Sequence, residues 1–159
     1  MNLENETALV TGASRGIGRA IAEELARLGA TVVGTATSAP GAEGISEALA
    51  PSGGRGLVLD VADPESVAAC VGAVEEAFGA PTVLVNNAAI TRDNLLMRMK
   101  DAEWEDVLRT NLDSVFRMSR ACLKGMMKAR RGRIVNIASV VAATGNPGQT
   151  NYAAAKAGL

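Results

Sequence analysis

The sequence has no histidine, only one tyrosine and one tryptophan, and two cysteines in 159 residues. Histidine is the commonest general base and the commonest metal ligand, so its absence excludes a Ser-His-Asp triad and any histidine-ligated metal. Cys70 and Cys122 lie in helix-like patterns with no paired cysteine nearby, which favours small core residues. No metal site is predicted, and any chemistry must use other groups.

An excess of charge of one sign is also lacking. Sixteen basic residues face seventeen acidic ones, a net charge of -1, so neither nucleic acid nor an anionic membrane is a predicted partner. The first residues have no basic stretch or apolar run, and no segment is long enough to cross a bilayer, which predicts a cytoplasmic protein. Since 48% of the residues are hydrophobic, one domain with a buried core is expected.

Short apolar runs alternate along the chain with segments of helical period. The runs predicted as strands are residues 7–11, 31–35, 56–60, 82–85 and 133–137. Runs this apolar are typical of strands covered on both faces. The alternation predicts an α/β fold with a doubly wound parallel sheet and helices on both sides.

The predicted helices follow from stripes and end signals. Gly29 ends the first helix, Asp63 and Pro64 open the helix after the third strand, and residues 38–56 contain a short helix between loops. The longest helical pattern runs from about residue 101 to 129. Its predicted inward face consists of Trp104, Leu108, Leu112, Val115, Cys122, Leu123 and Met126.

Asn111 falls on that apolar face. A buried side-chain amide needs hydrogen-bond partners, because leaving it unpaired costs about 1–3 kcal/mol. A structural bond to a neighbouring loop is the simplest interpretation.

Residues 11–18, Thr-Gly-Ala-Ser-Arg-Gly-Ile-Gly, follow the first predicted strand and open the first predicted helix. Glycines allow a tight turn and close approach of a ligand, and a helix N-terminus offers free N–H groups to a pyrophosphate. The spacing differs from Gly-x-Gly-x-x-Gly, and a purely structural cap is the alternative. The position directly after the first strand favours a nucleotide site.

The residues after the second and third predicted strands bear on which nucleotide binds. Residues 34–38 carry hydroxyl groups, including Thr37, where enzymes that use NAD usually have a carboxylate for the ribose. Arg15 can meet a 2'-phosphate, which favours NADP(H), although a solvated charge is the alternative. Asp60 suits either an adenine amino group or a turn.

Three further motifs fall in the second half of the chain. Residues 86–89, Asn-Asn-Ala-Ala, follow the fourth strand, and Ser139 follows the fifth, at the edge where open α/β sheets bind ligands. Tyr152 and Lys156 are four residues apart, hence on one face of a helix, where the ammonium favours a phenolate. Taken alone, the pair is more simply interpreted as a core-edge aromatic and a solvated charge.

Together these motifs resemble the short-chain dehydrogenase/reductase family. Residues 11–18, residues 86–88, Asn111, Ser139 and the Tyr152–Lys156 pair occur in the family's order across essentially the whole chain. Residues 90–96 and 148–152 are similar to the bacterial 3-oxoacyl-[acyl-carrier-protein] reductases of that family. The resemblance implies a Rossmann-like, doubly wound parallel sheet and reduction of a 3-oxoacyl thioester with NADPH.

The same resemblance implies roles for individual residues. Tyr152 would protonate the developing alkoxide, Lys156 would favour the phenolate and hold the nicotinamide ribose, and Ser139 would bond the substrate carbonyl. Asn111 would continue a proton relay through Lys156 and water. The residues expected to bind NADPH are Gly12, Ser14, Arg15, Gly16, Ile17, Gly18, Thr37, Asp60, Val61, Asn87, Ala88, Tyr152 and Lys156.

The implied partners are acyl carrier protein, bearing the 3-oxoacyl thioester, and further copies of the chain in a homotetramer. Acyl carrier protein is acidic, so a basic docking site is expected, and Lys128, Arg130 and Arg131 form a local basic cluster. A solvated charged face is the alternative interpretation.

The chain departs from the family pattern at three alanines and in its length. The family usually has glycine at Ala89 and often at Ala138 and Ala142, where a positive φ would cost alanine about 1 kcal/mol. Residues 1–159 are expected to form an incomplete NADP-binding domain of about five strands, with an exposed fifth strand and Lys156 in a fraying helix. A non-catalytic NADP-binding fragment and a reductase of another ketone remain alternatives.

Overall fold

Five parallel strands form one sheet in the computed structural model, which describes residues 2–159. The strands are β1 (Thr7–Val10), β2 (Thr31–Ala36), β3 (Arg55–Val58), β4 (Val83–Asn86) and β5 (Arg133–Asn136). Their order across the sheet is β3-β2-β1-β4-β5, and every neighbouring pair is parallel. The chain thus builds outward from β1 in both directions, which confirms the predicted doubly wound, Rossmann-like sheet.

Helices cover both faces of this sheet. They are α1 (Gly16–Arg27), α2 (Ala39–Leu49), α3 (Pro64–Phe78), α4 (Asp101–Leu108), α5 (Ser114–Ala129), α6 (Val141–Thr144) and α7 (Thr150–Ala157). Short 3-10 turns lie at Ala50–Ser52 and Leu96–Arg98. Among residues 2–159, no helix has both the length and the apolarity needed to cross a membrane.

Alternation along β1 shows why the sheet is buried on both sides. Ala8 and Val10 pack with residues of α1 and α2, whereas Leu9 packs with residues of α3 and α5. Side chains on neighbouring strand positions point to opposite faces, so each helical layer receives its own row of apolar contacts. Burial of one large aliphatic side chain contributes roughly 1.5–3 kcal/mol.

Cys70 and Cys122 are unpaired thiols inside the layer formed by α3 and α5. Burial raises the pKa of Cys70 to about 11 and that of Cys122 to about 12, so neither thiol is a reactive thiolate near neutral pH. The prediction that both are core residues is confirmed.

The predicted helix ends are present. Asp63 caps α3 by accepting a hydrogen bond from the Glu65 amide at 3.0 Å, and Pro64 is its first residue. Gly29, with φ of 97°, follows the end of α1. The helix expected within residues 38–56 is α2, which begins after Ser38 and has 11 residues.

The long helix predicted over residues 101–129 is divided by a π-helical turn at Arg109–Asp113. The residues buried along it are Val107, Asn111, Ser114, Met118, Cys122 and Met126. Two members of the predicted inward face are wrong, because Trp104 and Leu123 are 36% and 47% exposed. A π turn changes the helical phase between α4, which carries Trp104, and α5. Leu123 is exposed for a local reason, because it lies about 100° around α5 from the buried Cys122.

The fifth strand is an edge of the sheet, as predicted. Among residues 2–159 it pairs only with β4, and its apolar side chains Ile134 and Val135 are 38% and 46% exposed. An exposed apolar edge strand is a site where another strand can pair.

Candidate active site

The glycine-rich segment, residues 11–18, connects β1 to α1 at the carboxyl edge of the sheet. Gly12 and Gly16 have φ of 65° and 57°, which favours glycine at both positions. A methyl group built on Gly16 would meet no described atom within 4 Å. Open space therefore lies beside the first amide groups of α1, where an anion is stabilised by free N–H donors.

Close packing leaves no room for a side chain at Gly18. A methyl group there would lie 2.2 Å from the Gly12 carbonyl oxygen and 2.4 Å from the side-chain Nδ2 of Asn87. The first turn of α1 thus lies directly against the loop that follows β4.

Asn87 joins that loop to the glycine-rich segment. Its Nδ2 donates to the carbonyl oxygens of Thr11 and Gly12, each at 3.0 Å. Thr11 Oγ1 in turn accepts hydrogen bonds from the backbone amides of Asn87 and Ala88 at 3.0 Å each. These four hydrogen bonds fix the two loops relative to each other, which explains the amide side chain at position 87.

The two loops border a cavity of about 860 Å³ at the carboxyl edge of the sheet. This volume lies within the range of about 300–1,000 Å³ that is usual for ligand pockets. Predicted cofactor-binding residues that line it are Gly12, Ser14, Arg15, Thr37, Asp60, Val61, Asn87 and Ala88. The structure therefore brings together side chains from the ends of four strands.

The other predicted residues lie outside this lining. Gly16, Ile17 and Gly18 belong to the first turn of α1, and the Ile17 side chain is 64% exposed. Asn111, Ser139, Tyr152 and Lys156 are held on elements beyond the cavity's border.

Sequence reasoning missed part of the lining. These residues are Thr35, Ala36, Leu59, Ala62, Asp63, Pro64, Ala89, Ile90, Arg92, Asp106, Arg109 and Thr110. Most follow a strand at the carboxyl edge, so their position along the chain was a usable signal. Asp106, Arg109 and Thr110 come from α4 and the π turn and reach the cavity only through tertiary packing.

Asp60 is an exposed turn residue at the end of β3. Its Oδ1 accepts from the Ala62 amide at 2.9 Å, and its own amide donates to Ser66 Oγ at 3.0 Å. The turn interpretation is thus present in the structure. The adenine interpretation stays a prediction, because the same residue also lines the cavity.

Asn111 lies in the π turn and is 1% exposed. Its Oδ1 accepts from the Ile90 amide at 2.9 Å, and its Nδ2 donates to the Ile90 carbonyl at 2.8 Å. This pair is the structural bond to a neighbouring loop that the sequence suggested. It satisfies the buried amide and holds Ile90 at the border of the cavity.

Lys156 is 5% exposed on α7, with Nζ 5.9 Å from the centroid of the Tyr152 ring. Nζ donates to the Ile137 carbonyl at 2.6 Å, so α7 is tied to the end of β5. Burial lowers the pKa of Lys156 below its ordinary value of 10.5. An ammonium that releases its proton more readily, beside a phenol, is suited to proton transfer.

Ser139 lies between β5 and α6. Its Oγ accepts from the Val141 amide at 3.3 Å, which leaves the hydroxyl proton free to donate elsewhere. Because Ser139 follows β5, it lies at the carboxyl edge of the sheet, as predicted.

The three alanines that replace usual glycines are accommodated. Within residues 2–159, the only non-glycine residues with positive φ are Asn5 and Arg130, so Ala89, Ala138 and Ala142 carry no such strain. The concern about the cofactor loop is thereby removed.

The predicted basic cluster lies at the amino edge of the sheet, because it precedes β5. Arg131 donates to the Asn5 carbonyl at 2.7 Å and lies 3.3 Å from a Glu6 carboxylate oxygen. Arg130 is exposed and ends α5 with φ of 53°. In a single chain, this cluster and the cavity are on opposite edges.

Comparison with known proteins adds family membership. The profile of the short chain dehydrogenase family matches residues 6–159. The chain is 65% identical over 161 residues to the 3-oxoacyl-[acyl-carrier-protein] reductase FabG of Pseudomonas aeruginosa, covering 100% of this chain and 65% of that protein. The FabG proteins of Vibrio harveyi and Escherichia coli K12 are 63% and 61% identical over 159 residues, with the same coverage. The chain spans about 65% of the length of these relatives, and it belongs to the short chain dehydrogenase family.

Proposed function

We propose that this protein reduces 3-oxoacyl-[acyl-carrier-protein] to 3-hydroxyacyl-[acyl-carrier-protein] with NADPH, in fatty acid biosynthesis. The observation that carries the proposal is the meeting of the glycine-rich segment, the large cavity and the ends of four strands at one edge of the sheet. High identity to relatives named as 3-oxoacyl-[acyl-carrier-protein] reductases supports the substrate.

The residues at this edge fit NADPH. The positive φ and open surroundings of Gly16 leave the first amides of α1 accessible to a pyrophosphate. Arg15 and Ser14 line the cavity beside Thr37, and no carboxylate follows directly on β2. A guanidinium and hydroxyl groups suit a 2'-phosphate, whereas a carboxylate there would repel it.

When bound, the nicotinamide supplies a hydride to the ketone carbon, and the protein supplies positions and a proton. Tyr152 donates its phenolic proton to the ketone oxygen, while the Ser139 hydroxyl orients that oxygen. Lys156, through its ammonium, stabilises the phenolate that remains and passes a proton back from water.

Asn111 contributes to this scheme by holding a loop. Both polar ends of its amide are bonded to Ile90, so we assign Lys156 and water to the relay itself. Asn111 keeps Ile90 beside the cavity and stabilises the π turn.

Oxidation of NADPH with an acetoacetyl thioester tests the proposal in the complete gene product. We expect turnover in the unaltered protein and a loss of about 10²–10⁴-fold in kcat in Tyr152→Phe, because positioned proton donors contribute that much. The urea unfolding midpoint of Tyr152→Phe should match that of the unaltered protein and serves as the folding control.

Other results would point elsewhere. NADPH binding without turnover of any ketone would favour a non-catalytic NADP-binding protein. Turnover of other ketones but not of the thioester would favour a different reductase of the same family.

We also infer a homo-oligomer, formed through the outer face of α5. Phe116, Leu123 and Met127 follow helical spacing and are 61%, 47% and 70% exposed. Contiguous apolar surface of this kind marks interaction sites. The molar mass in solution, measured by light scattering, tests the inference, and a monomer at all concentrations would contradict it.

For the carrier protein we propose docking at Lys128 and Arg130. Both cations are exposed, and an acidic partner is steered by such a patch. The cluster and the cavity lie on opposite edges of one sheet, so a docked carrier would present its thioester to a second copy's cavity. The docking proposal therefore rests on the homo-oligomer.

The unpaired thiols of Cys70 and Cys122 suit a reducing compartment, and we place the reaction in the cytoplasm.

A further inference from the structure

Asn151 is fully buried on the first turn of α7, directly before Tyr152. Its Nδ2 donates to the Arg92 carbonyl at 2.9 Å and to the Glu103 carbonyl at 3.1 Å. Its Oδ1 accepts from the Tyr152 amide at 2.8 Å. Every hydrogen-bonding group of this side chain except one lone pair is used. Its partners lie in the loop after β4, in α4 and in α7 itself.

The segment that Asn151 contacts has no regular structure of its own. Residues 87–100, the β4–α4 segment, contain only the short 3-10 turn Leu96–Arg98. The segment is held at Ile90 by Asn111, at Arg92 by Asn151, at Asp93 by Gln149, and at Asn94, whose backbone amide donates to the Gly148 carbonyl at 2.9 Å. Three of these four attachments come from the start of α7 or the loop before it.

Glu103 connects the same points through α4. Its Oε2 accepts from the Lys100 amide at 2.8 Å and from Asn94 Nδ2 at 3.1 Å, and these two bonds hold the pKa of the carboxyl below its usual range. Its backbone carbonyl is one of the two acceptors of Asn151. The first turn of α4, the β4–α4 segment and the first turn of α7 thus form one hydrogen-bonded unit.

We propose that Asn151 is a positioning residue, whose side-chain amide fixes the start of α7 against the β4–α4 segment and thereby sets where Tyr152 and Lys156 lie. The proposal rests on the proposed function for the roles of those two residues. The Lys156 ammonium is fixed by its hydrogen bond to the Ile137 carbonyl, so a shift of the first turn of α7 changes the separation of the Tyr152 phenol and this ammonium. A displacement of about 1 Å in a catalytic group can cost about 10²-fold in rate.

Asn151→Asp is the sharpest variant, because it keeps the shape and the acceptor for the Tyr152 amide but replaces the donor with an oxygen facing two carbonyl oxygens. Asn2→Asp is the matched control. It makes the same chemical change in an exposed side chain far from α7, whose Oδ1 accepts from the Glu4 amide at 2.9 Å, a bond that an aspartate keeps. Both variants are made in the complete gene product.

We expect Asn151→Asp to lower kcat per NADPH-binding site by about 10–100-fold, with KM for NADPH and for the thioester within about threefold. Counting sites by NADPH titration removes any unfolded fraction, so a merely structural role would leave this kcat unchanged. Asn2→Asp should keep kcat within about threefold. Unchanged kcat in Asn151→Asp, or an equal loss in the control, would overturn the proposal.

Hydrogen exchange provides a readout that needs no turnover. In Asn151→Asp, the amides of residues 151–156 and 90–94 should exchange at least about tenfold faster, while those of β1 and α3 keep their rates. If the unaltered protein reduces no ketone, the proposed function fails and this arm still decides the positioning claim. Unchanged exchange in both segments would refute it.

Discussion

Arg15 is the cation that we propose as the partner of the 2'-phosphate of NADPH. It precedes α1, lines the cavity, and forms no ion pair with any residue between positions 2 and 159. Arg19, one turn later, is bonded to Glu23 at 2.7 Å. The two arginines therefore differ in whether the guanidinium is available to a ligand.

This difference predicts cofactor preference. Arg15→Ala should weaken NADPH binding by about tenfold or more and leave NADH binding within about threefold, because a hydrogen bond to a charged group contributes about 1.5–3 kcal/mol. Arg19→Ala should change neither affinity appreciably, since an exposed ion pair contributes little. Titration calorimetry with both cofactors measures these values. Equal losses for NADPH and NADH would show that Arg15 does not contact the 2'-phosphate.

Single residues also show what the sequence can and cannot reveal. Tyr152, Lys156 and the lining residues of the glycine-rich segment could be named from the sequence because their type and spacing carry the chemistry, whereas Asp106, Arg109 and Thr110 could not. Asn151 was not, because its two acceptors are 59 and 48 positions away and become neighbours only when α4 meets α7. The Asn111 side chain was predicted to need a partner, yet nothing in its surroundings along the chain identified Ile90.

The joint between β1, α1 and the loop after β4 depends on a glycine inside a helix. Gly18→Ala would place a methyl group against the Gly12 backbone and Asn87, neither of which can move without breaking hydrogen bonds. We expect a loss of about 1–3 kcal/mol in the free energy of unfolding, the usual cost of overpacking, together with weaker NADPH binding.

Gly72 in α3 provides the matched control. A methyl group there meets no described atom within 4 Å, so Gly72→Ala should stabilise the protein by about 0.5–1 kcal/mol through helix propensity. Urea unfolding of both variants measures whether each substitution lowers or raises the free energy of unfolding. A neutral Gly18→Ala would show that the joint tolerates a side chain and that Gly18 has no packing role.

Strands and helix ends could be predicted at this scale because apolar runs, Asp63, Pro64 and Gly29 are local signals. The π turn could not, because its sequence has the same polar and apolar content as a regular helix. It changes the helical phase between α4, which carries Trp104, and α5. The error at Leu123 is local to α5, because the adjacent Cys122 is buried.

At the scale of the whole molecule, the residues of the basic cluster differ in their contacts. Arg131 is engaged with Glu6 and Asn5, which lead into β1, and therefore supports the amino edge of the sheet. Arg130 projects from a left-handed residue at the end of α5, a position that favours glycine. This left-handed backbone caps α5, because the amides of Arg130 and Arg131 donate to the carbonyls of Met127 and Met126, each at 3.1 Å.

Arg130→Gly should separate docking from stability by changing them in opposite directions. Relief of the left-handed strain should raise the free energy of unfolding by about 1 kcal/mol. Loss of the cation should lower kcat/KM for the carrier-bound substrate by about tenfold, and this loss should be smaller at high salt because salt screens the charge. For a small acetoacetyl thioester, kcat/KM should stay unchanged. Arg131→Ala, in contrast, should lower stability and affect both substrates alike. Equal activity of Arg130→Gly on the two substrates would place the carrier's docking surface elsewhere on the protein.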